Sequence, residues 1–238
     1  MDRARRELLY ALRGILCDLD SPFAYRHEIG LNSLLEMQLS QKNSQDFTAF
    51  GGVCANHHPL VSLVRILQNS PSRRIRNLCL LSIEGLAVLD PGGVSREVAR
   101  LPGTIPVLLR NADAQSIDTL AVLLRTGIAA RSVMGRCHGV EALVALLKLR
   151  TSSDTLRRAC VEALYLCADD ETYGYPGGDS NLGLKPAVER EIGVKTTQSL
   201  LETVSFDGYS DLANAGSAVA VPPGVAFLPT IDKLLLGR

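Results

Sequence analysis

Apolar residues recur at intervals of three and four along most of the first 171 positions, and this spacing predicts amphipathic helices rather than strands. A first helix is predicted over residues 3–19, where leucine and isoleucine residues share one face, and a second over residues 29–39. Residues 40–58 are polar and contain glycine, which predicts a loop with at most a short helical turn.

From residue 59 onward the pattern repeats. A glycine or proline precedes a short helix rich in leucine, a polar joint follows, and a longer, more apolar helix comes next. The short helices are predicted over residues 59–67, 103–109 and 139–147, and the long ones over 75–89, 116–124 and 155–167. A self-similar helical unit of roughly forty residues is typical of armadillo and HEAT arrays, in which stacking covers the apolar face that a single unit leaves open.

The predicted fold is therefore all-α: an armadillo/HEAT-like α-solenoid of roughly three to four repeats, with a largely irregular C-terminal tail. The helical domain is assigned to residues 1–171, with the repeats clearest over 59–171. The sequence DPGG at residues 90–93 is predicted to end the helix before it. Residues 172–238 form the Gly/Pro-rich tail, with one or two short helices, and its last residues are expected to dock on the solenoid or on a partner.

Charge and cysteine content exclude several classes of protein. The 25 basic residues are balanced by 25 acidic ones, whereas a dedicated nucleic-acid binder carries a basic excess, so no nucleic-acid partner is expected. Arg13 and Asp18 interrupt the apolar N-terminal stretch, which argues against a secretory signal, and no apolar run is long enough to predict membrane insertion. The six dispersed cysteines predict reduced thiols in an intracellular protein.

Two Cys/His groups are the candidates for chemistry. Cys54, His57 and His58 have ligand types and spacing that bind zinc, but no fourth ligand follows nearby. Cys137 and His138 pair a thiol with a base at a helix start, but nothing nearby orients the base. No phosphate-binding glycine motif is present. We therefore predict no enzyme, no cofactor, no metal and no small-molecule substrate. A Cys/His-dependent or zinc-dependent enzyme remains the alternative from another class.

Two basic clusters are the candidate partner-binding residues. Arg73, Arg74 and Arg76 begin one long helix, and Arg157 and Arg158 begin another. If the repeat register holds, both clusters lie at the same corner of successive units and form a stripe that binds an acidic or phosphorylated segment. The alternative is that these arginines are solvated joint residues or pair with nearby aspartates.

Three stretches within residues 76–171 resemble a known family: NLCLLSIEGLAVLDPGGVSREV, SIDTLAVLLRTGIAARSV and GVEALVALLKLRTSSDTLRRACVEALYL. The chain is similar there to the fungal septation initiation network component of the cell-division-control type, a small, armadillo-like, non-catalytic subunit. An unrelated phosphatase family shares that name, but its Cys-x5-Arg nucleophile loop is absent here.

The resemblance implies a protein partner, a germinal-centre, Ste20-like kinase that the subunit binds and supports in activity. It also implies a cytoplasmic protein that is recruited to the spindle pole body, in the signal that couples mitotic exit to septum formation and cytokinesis. The family offers no catalytic residues. The expected function is a non-enzymatic scaffold or regulatory subunit of that kinase, and the alternative is a general armadillo-type adaptor for another protein partner.

Overall fold

A computed structural model describes residues 3–44, 47–54, 57–149, 151–169 and 183–205, and within these residues the chain is helical and contains no strand. The predicted all-α class is confirmed. In chain order the helices are α1 (Arg3–Leu19), α2 (Ala24–Ser44), α3 (Phe47–Cys54), α4 (Pro59–Asn69), α5 (Arg73–Leu89), α6 (Pro91–Arg100), α7 (Thr104–Asn111), α8 (Ala114–Thr126), α9 (Ile128–Arg136), α10 (Gly139–Lys148), α11 (Asp154–Ala168), α12 (Lys185–Ile192) and α13 (Val194–Ser205). None of these helices is sufficiently long and apolar to cross a membrane.

Equivalent helices of successive units pack against each other in rows. The long helices form one row, in which α2 packs on α5, α5 on α8 and α8 on α11; we call this row the helix ladder and each of its helices a rung. Helices α1, α4, α7 and α10 form a second row, and α6 packs on α9. This packing is consistent with a helical-repeat fold.

The same local signal starts each long helix of the repeats. An N-cap side-chain oxygen accepts a hydrogen bond from the backbone N–H three residues further on, which satisfies one of the unpaired donors of the first turn. The caps are Ser72 for α5, Asp113 for α8 and Ser153 for α11, with donor–acceptor distances of 3.4, 2.8 and 3.2 Å. Because the caps recur, they define equivalent positions along the three rungs.

A third helix after α5 and after α8 departs from the predicted helix pairs. The DPGG sequence at residues 90–93 ends α5, as predicted, but it also begins α6. The Asp90 side chain accepts a hydrogen bond from the Gly93 N–H at 2.9 Å, and Pro91 occupies the first helical position, where its missing N–H costs nothing. In the next unit Gly127 separates α8 from α9, but there the second helix begins without a side-chain cap and without a proline.

The predicted loop at residues 40–58 is wrong over most of its length. Helix α2 continues to Ser44, and α3 occupies Phe47–Cys54. Phe50 and Val53 are buried, and α3 packs against α1, α2 and α5. The apolar pattern of this helix was not recognised in the sequence because two glycines and polar residues surround Phe50 and Val53. Burial of these two side chains offsets the low helix propensity of glycine.

Helical packing also continues beyond residue 171. Helices α12 and α13 pack on α10 and α11 through the buried residues Leu184, Val188 and Leu200. Residues 170–182 and 206–238 lie outside the described residues, and so does the C-terminal segment that is expected to dock.

Candidate functional site

One side of the helix ladder leaves apolar side chains open to solvent. Leu81 and Val88 lie on the same side of α5, two turns apart, and are 43% and 58% exposed. Val122 of α8, which is half-buried, occupies the position equivalent to Leu81, since each is the ninth residue after its N-cap. We call this surface the ladder face, and its residues are Arg74, Asn77, Leu81, Glu84, Val88, Gln115, Asp118, Val122, Arg125, Arg158, Glu162 and Tyr165.

Charged side chains connect the rungs across this face. The Glu84 carboxylate of α5 accepts hydrogen bonds from Gln115 Nε2 at 2.8 Å and from Thr119 Oγ1 at 2.6 Å, both on α8. Burial raises the pKa of Glu84, and the two hydrogen bonds oppose that rise. On the other side of α8, Arg125 donates to the Glu162 carboxylate of α11. The rungs are therefore fixed to each other by polar contacts as well as by the core.

Asp118 lies at the centre of the ladder face, on the middle rung. Asp118 as a whole is exposed, but the pKa of its carboxyl group is raised to about 6. The largest cause is desolvation by the side chains packed around the carboxylate, and the charges of Glu162 and Glu84 add to it. The guanidinium groups of Arg158 and Arg125 lower the pKa by less. Among the charges that shift this pKa, the two carboxylates therefore outweigh the two guanidinium groups.

Three of the predicted partner-binding residues lie in the first turns of α5. Arg73 and Arg74 are exposed, and Arg74 forms an ion pair with Glu28 of α2 at 2.8 Å. Arg76 is half-buried, and its Nη1 donates to the carbonyl oxygens of Ser70 and Pro71 at 3.0 Å. Arg76 therefore stabilises the connection between α4 and α5, whereas Arg73 and Arg74 are accessible to a partner.

Arg157 and Arg158 are half-buried near the start of α11. Arg157 and Arg76 are each the fourth residue after an N-cap and so occupy equivalent corners. Helix α8 lies between these corners, and its corresponding turn contributes Asp118 but no basic residue. The structure thus brings Arg158 near Asp118 and separates the two arginine clusters by one rung. Binding of a partner by the arginines stays a prediction.

The Cys54, His57 and His58 group does not converge on one point. Burial raises the pKa of Cys54 to about 12, and the charges of Asp90 and Glu97 add to this rise, so the thiol stays protonated. His58 directs Nδ1 to the Glu97 carboxylate at 3.1 Å. Within the described part of the chain, no three His, Cys, Asp or Glu side chains are grouped as metal ligands.

Cys137 and His138 do not form an activated pair either. Burial raises the pKa of Cys137, and its Sγ donates to the Met134 carbonyl oxygen at 3.6 Å. His138 is directed to the Glu141 carboxylate, with Nδ1 and Oε1 3.4 Å apart. A nucleophilic cysteine requires a lowered pKa and a base that takes its proton, whereas here the pKa is raised and the thiol donates to a backbone carbonyl.

Comparison with known proteins finds no protein-family model, no curated protein and no solved structure that matches this chain. The candidate site consequently depends on the geometry of the ladder face. Its three carboxylates, Glu84, Asp118 and Glu162, were not among the site residues predicted from the sequence. The recurring N-caps could have identified them, because counting residues from Ser72, Asp113 and Ser153 aligns the three helices position by position.

Proposed function

We propose that this chain is a non-enzymatic scaffold, an armadillo/HEAT-like solenoid whose ladder face binds a protein partner. The observation that supports this proposal is the row of exposed apolar residues, Leu81 and Val88 with Val122 beside them, bounded by charged side chains. An apolar centre with a polar rim is the usual composition of a protein–protein interface.

Preorganisation is the proposed mechanism of binding. The contacts of Glu84 with Gln115 and Thr119, and of Arg125 with Glu162, hold the rungs in place before a partner arrives. A rigid surface loses little conformational entropy on association, so more of the interaction free energy remains for affinity. Such a scaffold positions its partner and takes no part in the partner's chemistry.

The resemblance of residues 76–171 supplies the class of partner that we propose, a Ste20-like protein kinase of the germinal-centre type. The scaffold would support that kinase in septation initiation signalling and bring it from the cytoplasm to the spindle pole body. The alternative, a general armadillo-type adaptor for another protein, would use the same surface. The two proposals therefore differ only in the identity of the bound partner.

Binding of the purified kinase tests the scaffold directly. We expect the chain to form a complex with the Ste20-like kinase of the same cell and to raise its activity. Leu81→Asp places a charge in the apolar centre and should weaken the complex by at least about tenfold, as measured by titration calorimetry. Val61→Asp is the matched control, because Val61 is 46% exposed on α4 in the other row, and it should bind normally. A complex insensitive to Leu81→Asp, or no complex, contradicts the proposal.

Charge reversal tests the arginine stripe separately. The double change Arg73→Glu and Arg74→Glu should weaken capture of an acidic or phosphorylated partner segment several-fold, because two exposed cations are replaced by anions. The melting temperature should hardly change, since the exposed Arg74–Glu28 pair contributes less than about 1 kcal/mol. Arg110→Glu, an exposed position on α7, is the control. Unchanged capture would refute the stripe and leave the scaffold proposal in place.

A further inference from the structure

Carboxylates outnumber cations at the centre of the ladder face. Asp118 faces Glu84 of α5, Arg125 of its own helix, and Glu162 and Arg158 of α11. Arg125 is engaged with Glu162, and Arg158 is the remaining cation. Among the residues that the structure describes, three carboxylates therefore share two guanidinium groups, and a further cation at this position is electrostatically favourable.

The apolar residues of the ladder face alternate with these carboxylates at helical spacing. Leu81 lies one turn before Glu84, and Val88 lies one turn after it. Val122 lies one turn after Asp118. A ligand that covers the face must therefore offer apolar and cationic groups at a matching spacing, which an amphipathic helix does with one face.

We propose that the ladder face docks a basic amphipathic helix of a partner protein, with lysine or arginine side chains on Asp118 and Glu84 and leucine-like side chains on Leu81, Val88 and Val122. This inference rests on the proposed function, because it names the chemistry of the segment that the scaffold binds. A partner cation relieves the repulsion among the carboxylates, whereas an acidic or phosphorylated segment increases it. The carboxylates at the centre of the ladder face are thus predicted to select cations, and the arginines near the starts of α5 and α11, of which Arg74 and Arg158 border this face, to select anions.

Two synthetic helical peptides test the proposal with the full chain. Both carry leucines at positions i, i+3, i+4 and i+7; one has lysines along the flanks of this stripe, and the other has glutamates at the same positions. Fluorescence anisotropy at low salt and neutral pH measures their affinities. The lysine peptide should bind at least about tenfold more tightly than the glutamate peptide. Equal affinities, or tighter binding of the glutamate peptide, overturn the proposal.

Variants of the chain locate the binding to the ladder face. Asp118→Asn should weaken the lysine peptide by about threefold to tenfold, and Leu81→Ser by a similar factor. Glu7→Gln removes an exposed carboxylate from α1 in the other row and should have no effect. Asp118→Asn should fold normally, since ionised Asp118 is repelled by two carboxylates and the amide is not. Unchanged affinity in both ladder-face variants overturns the proposal.

The pH dependence of binding provides an independent readout. Asp118 gains its charge as pH rises through a pKa of about 6, so the lysine peptide should bind more tightly at neutral pH than at pH values around 5. Asp118→Asn should flatten this dependence, and an unaltered pH profile in the variant would overturn the assignment. If the kinase complex is lost in Leu81→Asp while the lysine peptide shows no selectivity, the inference fails and the proposed function stands. If the lysine peptide binds selectively but no kinase complex forms, the inference stands and the proposed function fails.

Discussion

Replacing Arg131 by methionine is expected to lower the free energy of unfolding by about 3 kcal/mol. Arg131 lies on α9, is only 3% exposed, and donates to the carbonyl oxygens of Leu166 and Cys167 in the last turn of α11. The final carbonyls of a helix have no partner within the helix, and a buried carbonyl left without one is costly. Methionine retains much of the apolar volume of arginine, so the decrease in the free energy of unfolding reports the loss of the hydrogen bonds and of the charge.

Urea unfolding, followed by helical circular dichroism, measures this loss. Arg136→Met on the same helix is the matched control, because Arg136 is exposed and its Nε donates to the Ser132 carbonyl at 3.3 Å. The control should stay within about 0.5 kcal/mol of the parent chain. Equal effects of the two substitutions would mean that the buried contact between α9 and α11 does not stabilise the fold.

Replacing Gly85 by alanine should destabilise the chain by about 2 kcal/mol, although this exchange usually stabilises a helix interior. A Cβ at Gly85 would lie 2.7 Å from Cδ of Gln38, whose side chain is buried between α2 and α5. Gln38 Nε2 donates to the Ser82 carbonyl oxygen at 2.9 Å, so the amide is anchored and does not move aside without losing that bond.

The double change Gly85→Ala with Gln38→Ala distinguishes steric overlap with Gln38 from an effect of helix propensity. Removing the Gln38 amide makes room for the new methyl group, so the double variant should be more stable than the sum of the single effects predicts, by about 1 kcal/mol. Gly14→Ala on α1 is the control, since nothing lies within 4 Å of its Cβ position, and it should gain roughly 0.5–1 kcal/mol. Strict additivity of the two changes would disprove the steric account.

The long repeat helices were predictable because two signals agree at their boundaries. The prediction for α5 began at residue 75 and the helix begins at Arg73; for α11 the prediction began at residue 155 and the helix begins at Asp154. Their apolar periodicity and their N-caps indicate nearly the same start. Helix α6 was missed because the DPGG sequence that stops α5 also supplies the cap and first turn of the next helix.

The candidate site was harder to predict because it depends on contacts between helices. Periodicity aligns residues on one helix, but it does not indicate which residues of two helices meet. Glu84 meets Gln115 and Thr119 only through the register in which α5 packs on α8. In the sequence Asp118 was one of several aspartates that suggested only ion-pair partners for the arginines, whereas in the structure two carboxylates as well as two guanidinium groups act on it.

The nearest-neighbour packing of the ladder gives its rungs unequal importance. Helix α8 packs on both α5 and α11, whereas the main contact of α2 among the rungs is with α5. In a linear stack, cooperativity passes from one neighbour to the next. A defect in α8 thus interrupts the ladder between α5 and α11, and the two halves of the protein then stay joined through the contacts of α7 with α4 and α10 and of α6 with α9.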